Sequence, residues 1–215
     1  MASSSIASSS MASSSKRSRS PTPEEDDEDE KPRPKKFAFD LNEEPEPELE
    51  EDDSDATLAL LRRWNVPATP PAKMVHPGLI GLCSKPIRMQ LTKKDVNFED
   101  EKQSKLVLSK SKLTNEFDLF VRGKEWMVVS VYGPDGKIHE IKMWIDEKED
   151  KIDLKKGWSK FVGDYDLKEI CDFVAVWMFW NKEGREICLA IDTMRLVVRK
   201  LVSQRISKAV FDDED

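Results

Sequence analysis

Phe173-Val174-Ala175-Val176-Trp177-Met178-Phe179-Trp180 is an unbroken apolar run that stops at Asn181-Lys182-Glu183-Gly184. Eight residues fall far short of the roughly 20 that a membrane-crossing helix needs. The run is rich in aromatic and β-branched side chains and ends on a turn-forming cluster, which predicts a strand buried on both faces. Upstream, Leu154-Lys155-Lys156-Gly157-Trp158-Ser159-Lys160-Phe161-Val162 sets Trp158, Phe161 and Val162 at helical spacing. Gly157 there supplies the turn into a short helix.

A strand buried on both faces needs partners, and the neighbouring segments supply them. Ile87, Met89 and Leu91 alternate, giving a strand with one buried face. Leu106-Val107-Leu108 is a second strand, followed by a short helix over Lys110–Glu116 with Phe117 packing inward. Trp126–Tyr132 and Ile138–Ile145 flank Gly133-Pro134-Asp135-Gly136, a strong turn signal, and form a hairpin. Ile152–Leu154 is a brief strand leading into the Gly157 helix, and Glu186–Ile191 pairs with the apolar run as a second hairpin. The sum is mainly β: seven short strands and two short helices, closely spaced, as in a barrel or a sandwich. Residues 193–211 are ambiguous between a helix and an extension of the last strand.

The charge is unevenly placed. Residues 1–85 carry 11 basic and 17 acidic residues, net −6, whereas 86–211 carry 24 and 21, net +3. The acidic whole therefore hides a mildly basic folded part, which keeps nucleic acid open as a partner. Cys83, Cys171 and Cys188 are an odd number without C-x-x-C spacing, which fits reduced cysteines serving as small core residues. His76 and His139 stand alone. No Ser-His-Asp set, metal-ligand spacing or phosphate-binding glycine loop is present, so neither an enzyme nor a bound cofactor is expected.

The N-terminal third reads differently. Met-Ala-Ser-Ser-Ser occurs at 1–5 and again at 11–15, in a Ser/Ala tract that cannot bury a core. Such a tract also suits a plastid transit peptide, but arginine is scarce before residue 17 and disorder is the favoured reading. Lys16, Arg17 and Arg19 form one basic cluster and Lys31, Arg33, Lys35 and Lys36 a second, with seven acids between them. Two basic clusters in a disordered tail read as a nuclear localisation signal for an import receptor. In Phe37-Ala38-Phe39-Asp40-Leu41-Asn42-Glu43-Glu44-Pro45 the residues Phe37, Phe39 and Leu41 alternate, so an extended chain presents them on one face. An apolar stripe with no core of its own to serve suits a partner's groove.

The chain thus divides into a disordered tail at 1–55 and a linker with a short helix at 56–85, the helix capped by Ser54 or Asp55. The folded domain spans 86–192 and a C-terminal extension 193–215.

Two stretches carry resemblances. Asp40-Leu41-Asn42-Glu43-Glu44-Pro45 fits D-L-N-x-x-P and resembles the amphiphilic repression motif of plant repressors, implying a Topless-type corepressor held by Phe37, Phe39, Asp40, Leu41, Asn42 and Pro45. Leu91-Thr92-Lys93-Lys94-Asp95-Val96, Lys105–Ser109, Leu154–Val162 and Leu167–Phe179 resemble, in order and spacing, the plant-specific B3 DNA-binding domain over about 86–192. That family's fold is a seven-stranded open pseudobarrel with two short helices, whose two arms grip the DNA major groove. The resemblance implies DNA contacts from Lys93, Lys94, Asn97, Lys102, Gln103, Ser104 and Lys105 on the first arm, and from Lys142, Trp144, Lys148 and Lys151 on the second.

Two features depart from the family pattern. Acids occupy both arms: Glu99-Asp100-Glu101 in the first, and Asp146, Glu147, Glu149 and Asp150 in the second. Carboxylates facing phosphate repel it. The Gly-Asp that follows the family's second helix is replaced by Ile170-Cys171-Asp172. The favoured reading is a nuclear transcriptional repressor that binds duplex DNA; the alternative is a protein-interaction adaptor on the same fold with little DNA affinity. No membrane partner is expected, and the oligomeric state is open.

Overall fold

The computed structural model describes residues 51–97, 104–112, 117, 121, 123, 125–146 and 148–212. The apolar run is the middle of β8 (Asp172–Asn181), which pairs in antiparallel register with β9 (Glu186–Arg195) from Asp172↔Arg195 to Asn181↔Glu186. Its alternate side chains enter two different cores. Val174, Val176 and Met178 join an inner core, while Phe173, Ala175, Trp177 and Phe179 join an outer one. Burial on both faces is what the run's composition predicts.

The remaining strands are β1 (Glu51–Asp52), β2 (Ile80–Cys83), β3 (Ile87–Gln90), β4 (Leu106–Ser109), β5 (Trp126–Tyr132), β6 (Ile138–Asp146), β7 (Lys151–Leu154) and β10 (Leu201–Val202). The main sheet runs β2-β8-β9-β5-β6-β7-β4, and β3 also pairs with β8. It curls around the inner core and stays open: among the described residues β4 pairs only with β7. All seven expected strands are present, and β2 is an eighth. The inner core is closed by α2 (Trp158–Asp164), whose Trp158, Phe161 and Val162 are fully buried with the Trp158 and Phe161 rings stacked. Gly157 has φ +99°, and a Cβ there would meet the Glu140 carbonyl oxygen at 2.4 Å, so both conformation and space demand glycine.

Two expectations need correction. Residues 56–85 are not a linker but a packed part of the fold. α1 (Asp55–Arg62), capped by Ser54, places Leu61 against the outer face of the sheet beside Trp64, Met74 and Val75, and β2 adds to the edge of β8. Trp177, buried on that face, donates its indole N–H to the Pro67 carbonyl at 3.0 Å. The proline segment is not extended throughout: Met74 and Val75 N–H donate to the Pro71 carbonyl in a turn, Pro77–Leu79 is a 3₁₀ turn, and the whole straps across an apolar surface. The same applies at 51–55, expected within the disordered tail: β1 pairs in parallel with β10, and Asp53 accepts from Ser203 and Arg205. Of the helix expected at 110–116, Lys110–Lys112 form a 3₁₀ turn and 113–116 lie outside the described residues, while Phe117 is buried as expected. The ambiguous 193–211 resolves into the end of β9, then β10 and α3 (Gln204–Phe211), which buries Ile206 and Val210 in the outer core.

Candidate nucleic-acid interface

The first arm is anchored at its base. The Asp95 carboxylate accepts from Thr92 N and Thr92 Oγ1 at 2.7 and 2.6 Å, closing a tight turn, and burial pushes its pKa up against those bonds. The Asp95 carbonyl accepts the Trp158 indole N–H at 2.7 Å and the Ser104 hydroxyl at 3.3 Å. The Asp95 carbonyl therefore ties the two ends of the arm together, and Trp158 anchors it to the Gly157 helix. Lys93 and Lys94 project from the turn and are exposed.

A groove of about 1330 Å³ lies beside this turn, lined by Lys93, Lys94, Lys105, Lys155, Arg199 and Lys200, with Asn97 among the polar residues and Asp95 and Glu169 as carboxylates. Gln90 brings the C-terminal cations there. Its amide donates to the Ile170 and Lys200 carbonyls at 2.7 and 3.0 Å and accepts from Val202 N at 2.8 Å. Ile170 has φ +69°, a left-handed conformation that a β-branched residue rarely adopts. Its own N–H donates to the Leu91 carbonyl at 2.8 Å, so the surrounding bonds hold it there. Asp153, mostly buried, pairs with Lys105 at 2.7 Å and Lys155 at 3.1 Å. Burial alone would raise its pKa, but the two ammoniums outweigh it and the net shift is downward.

A second hollow of about 880 Å³ adjoins the first through Lys155, which lines both. It lies over the outer face of β5–β6, where Trp126 and Trp144 are cross-strand partners. The Lys155–Gly157 turn is fixed to β6 by Lys142 N–H to the Lys156 carbonyl (2.8 Å) and Lys155 N–H to the Lys142 carbonyl (2.9 Å).

Of the expected DNA contacts, Lys93, Lys94, Asn97 and Lys105 come together in the groove; Lys102 and Gln103 lie outside the described residues. Ser104 is buried and faces inward to Asp95, a placement that suits anchoring the arm rather than touching a ligand. Lys142 lines the second hollow and Trp144 borders it, whereas Lys148 and Lys151 belong to the turn beyond and line neither. The acids of that turn are engaged. Asp146 accepts from Lys148 N and Glu149 N, Asp150 from Ser111 N, and Glu149 pairs with Lys151; Glu147 lies outside the described residues. Sequence reasoning missed Lys155, Arg199 and Lys200. Lys155 stands inside the Gly157 motif, and a paired Arg199-Lys200 after an apolar stretch was the available signal. Among the described residues no group of three or more His, Cys, Asp or Glu could hold a metal ion. His139 is buried against Phe161 and Tyr165, and burial pushes its pKa down.

No family model matches the chain. It is similar to two putative B3 domain-containing proteins of Arabidopsis thaliana, each 38% identical, over 150 and 128 residues. These matches cover 66% and 57% of this chain, and 58% and 64% of the relatives. A third B3 domain-containing protein of that plant is 37% identical over 125 residues, 55% of this chain and 51% of the relative. The chain thus spans about half to two thirds of the length of the relatives it matches. Among solved structures it is similar to an Arabidopsis FUS3–DNA complex, at 14% identity and a TM-score of 0.34, covering 55% of this chain and all of that one. The 37–38% identity to three B3 domain-containing proteins supports a B3-type domain in this chain.

Proposed function

We propose that this chain is a nuclear transcription factor that binds duplex DNA through the groove beside the first arm. The observation that carries it is the lining itself: six cationic side chains, Lys93, Lys94, Lys105, Lys155, Arg199 and Lys200, converge on one groove with two carboxylates among them. Cations so placed neutralise phosphates, and Asn97 and Gln103 have the amide chemistry that reads adenine edges. Lys142, Trp144, Lys148 and Lys151 extend the contact from the second arm, and Lys16, Arg17, Arg19, Lys31, Arg33, Lys35 and Lys36 serve nuclear import. Selection from a pool of random duplexes tests the reading. Enrichment of a common sequence is expected, and failure to bind any duplex at low salt leaves the adaptor reading in its place.

Asp153 sits where it competes with phosphate for Lys105 and Lys155. Asp153→Asn is expected to strengthen duplex binding several-fold and to steepen its salt dependence, because both lysines are then released to phosphate. Fluorescence anisotropy at 50 and 200 mM salt measures both, and an unchanged or weaker affinity would count against phosphate binding at those lysines.

The repressor role rests on the tail. Phe37, Phe39 and Leu41 form the apolar stripe that a Topless-type corepressor groove takes up, with Asp40, Asn42 and Pro45 fixing register. Burying Leu41 contributes roughly 1.5–3 kcal/mol, so Leu41→Ser is expected to weaken a 34–48 peptide about ten- to a hundredfold in calorimetric titration against such a domain. Equal binding by both peptides would remove the repressor assignment and leave DNA binding intact.

A further inference from the structure

The second hollow carries features that phosphate binding alone does not need. Trp126 is 48% exposed and Trp144 37%, directly opposite each other on the outer face of β5–β6, with Val128 at 57% beside them. Large aromatic side chains left in water at the centre of a patch mark a surface built for a partner. The Lys142 ammonium sits 3.5 Å from the Trp126 ring centroid and 4.7 Å from that of Trp144, and Lys155 lies 5.3 Å from Trp144. Lys156 and Lys160 complete the rim, and among the described residues that line the hollow Glu140 is the one carboxylate. The floor is rigid, because the Lys155–Gly157 turn is hydrogen-bonded to β6 and Gly157 packs on the Glu140 backbone.

Four ammoniums around two tryptophans match a polyanion that also carries planar rings. We infer that this hollow binds single-stranded nucleic acid, with unpaired bases stacked at Trp126 and Trp144 and phosphates on Lys142, Lys155, Lys156 and Lys160. In the free protein the lysines rest over the indole faces. A phosphate draws the ammonium off the ring, and the base replaces it there, so the cation–π contact is exchanged for a stack plus a charge pair. Any base has a π-face, so the site is tolerant of sequence. Stacking at these rings needs unpaired bases, which a duplex does not offer because its bases are already stacked on one another. The inference shares Lys142, Trp144 and Lys155 with the duplex reading and is distinguished from it by Trp126, Lys156 and Lys160, which line the hollow and not the groove.

The test uses the full chain and three labelled 12-nucleotide probes of equal charge in fluorescence anisotropy: oligo(dT), oligo(rU) and an abasic phosphodiester backbone. Oligo(dT), oligo(rU) or both are expected to bind at least about tenfold more tightly than the abasic strand, and which of the two binds tells DNA from RNA as the source. Trp126→Ala is expected to lower that affinity about five- to a hundredfold, Trp126→Phe to retain most of it, and neither to change duplex affinity. Lys93→Ala with Lys94→Ala is expected to weaken duplex and spare the single strand. Equal binding of the abasic strand, or an unchanged affinity in Trp126→Ala, would overturn the stacking site. So would displacement of oligo(dT) by poly-glutamate of equal charge at equal concentration. Single-strand binding without duplex binding would sink the groove reading alone.

Discussion

A chain cut back to begin at Pro86 is expected to lose its cooperative thermal transition. The truncation removes Leu61, Trp64, Met74 and Val75, which cover the outer face of β8 and β9. At roughly 1.5–3 kcal/mol for each buried side chain the loss is about 6–12 kcal/mol, the size of a whole domain's stability of roughly 5–15 kcal/mol. It also removes the strap's share of the cover over Phe173, Ala175, Trp177 and Phe179, strips β2 from the edge of β8, and deprives the Trp177 indole N–H of its acceptor. Exposed apolar area of that kind promotes aggregation. A chain beginning at Glu51 keeps these contacts and is expected to melt like the full-length protein. Circular dichroism melts of the three lengths decide the matter; an unchanged cooperative transition at 86–215 would mean that the strap contributes little.

Replacing Lys93, Lys94 and Lys155 together by Ala is expected to have the largest effect on DNA binding. Each lost phosphate contact removes about 0.9 from the slope of log affinity against log salt, so three remove about 2.7. Between 50 and 200 mM salt the wild-type affinity should therefore fall roughly 40-fold more steeply than the variant's. Lys93 and Lys94 are exposed, and Lys155 leaves Asp153 still paired with Lys105, so the melting curve should hardly move. Parallel salt slopes for variant and wild type would place the phosphates elsewhere.

The sheet was readable because its signals are local. β8 announces itself by composition, the β5–β6 hairpin by Gly133-Pro134-Asp135-Gly136, and α2 by the glycine that its left-handed entry requires. The strap was not readable, because the apolar side chains of 56–85 follow no sustained period and are interrupted by Pro67, Pro70, Pro71 and Pro77, a pattern that by itself describes a linker. Only the outer face of β8 shows why Leu61, Trp64, Met74 and Val75 are spaced as they are. The same limit hid Arg199 and Lys200. They reach the groove through Gln90, more than a hundred residues away, whose amide bonds to the 200–202 backbone have no sequence signature. The acids of the second arm were misleading for the opposite reason. Asp146 and Asp150 look like bare charge in the sequence, whereas they are turn acceptors in the fold. Ile170 shows a compensated departure. A left-handed isoleucine, rare for a β-branched residue, is held there by its neighbours, at a strain of order 1–3 kcal/mol.

The most direct measurement is an anisotropy titration of the full chain with a random-sequence duplex pool across a series of salt concentrations. Six groove cations predict binding at 50 mM salt and a log–log slope of about −5. No binding at 50 mM, or an affinity that does not change with salt, would contradict duplex recognition by this groove.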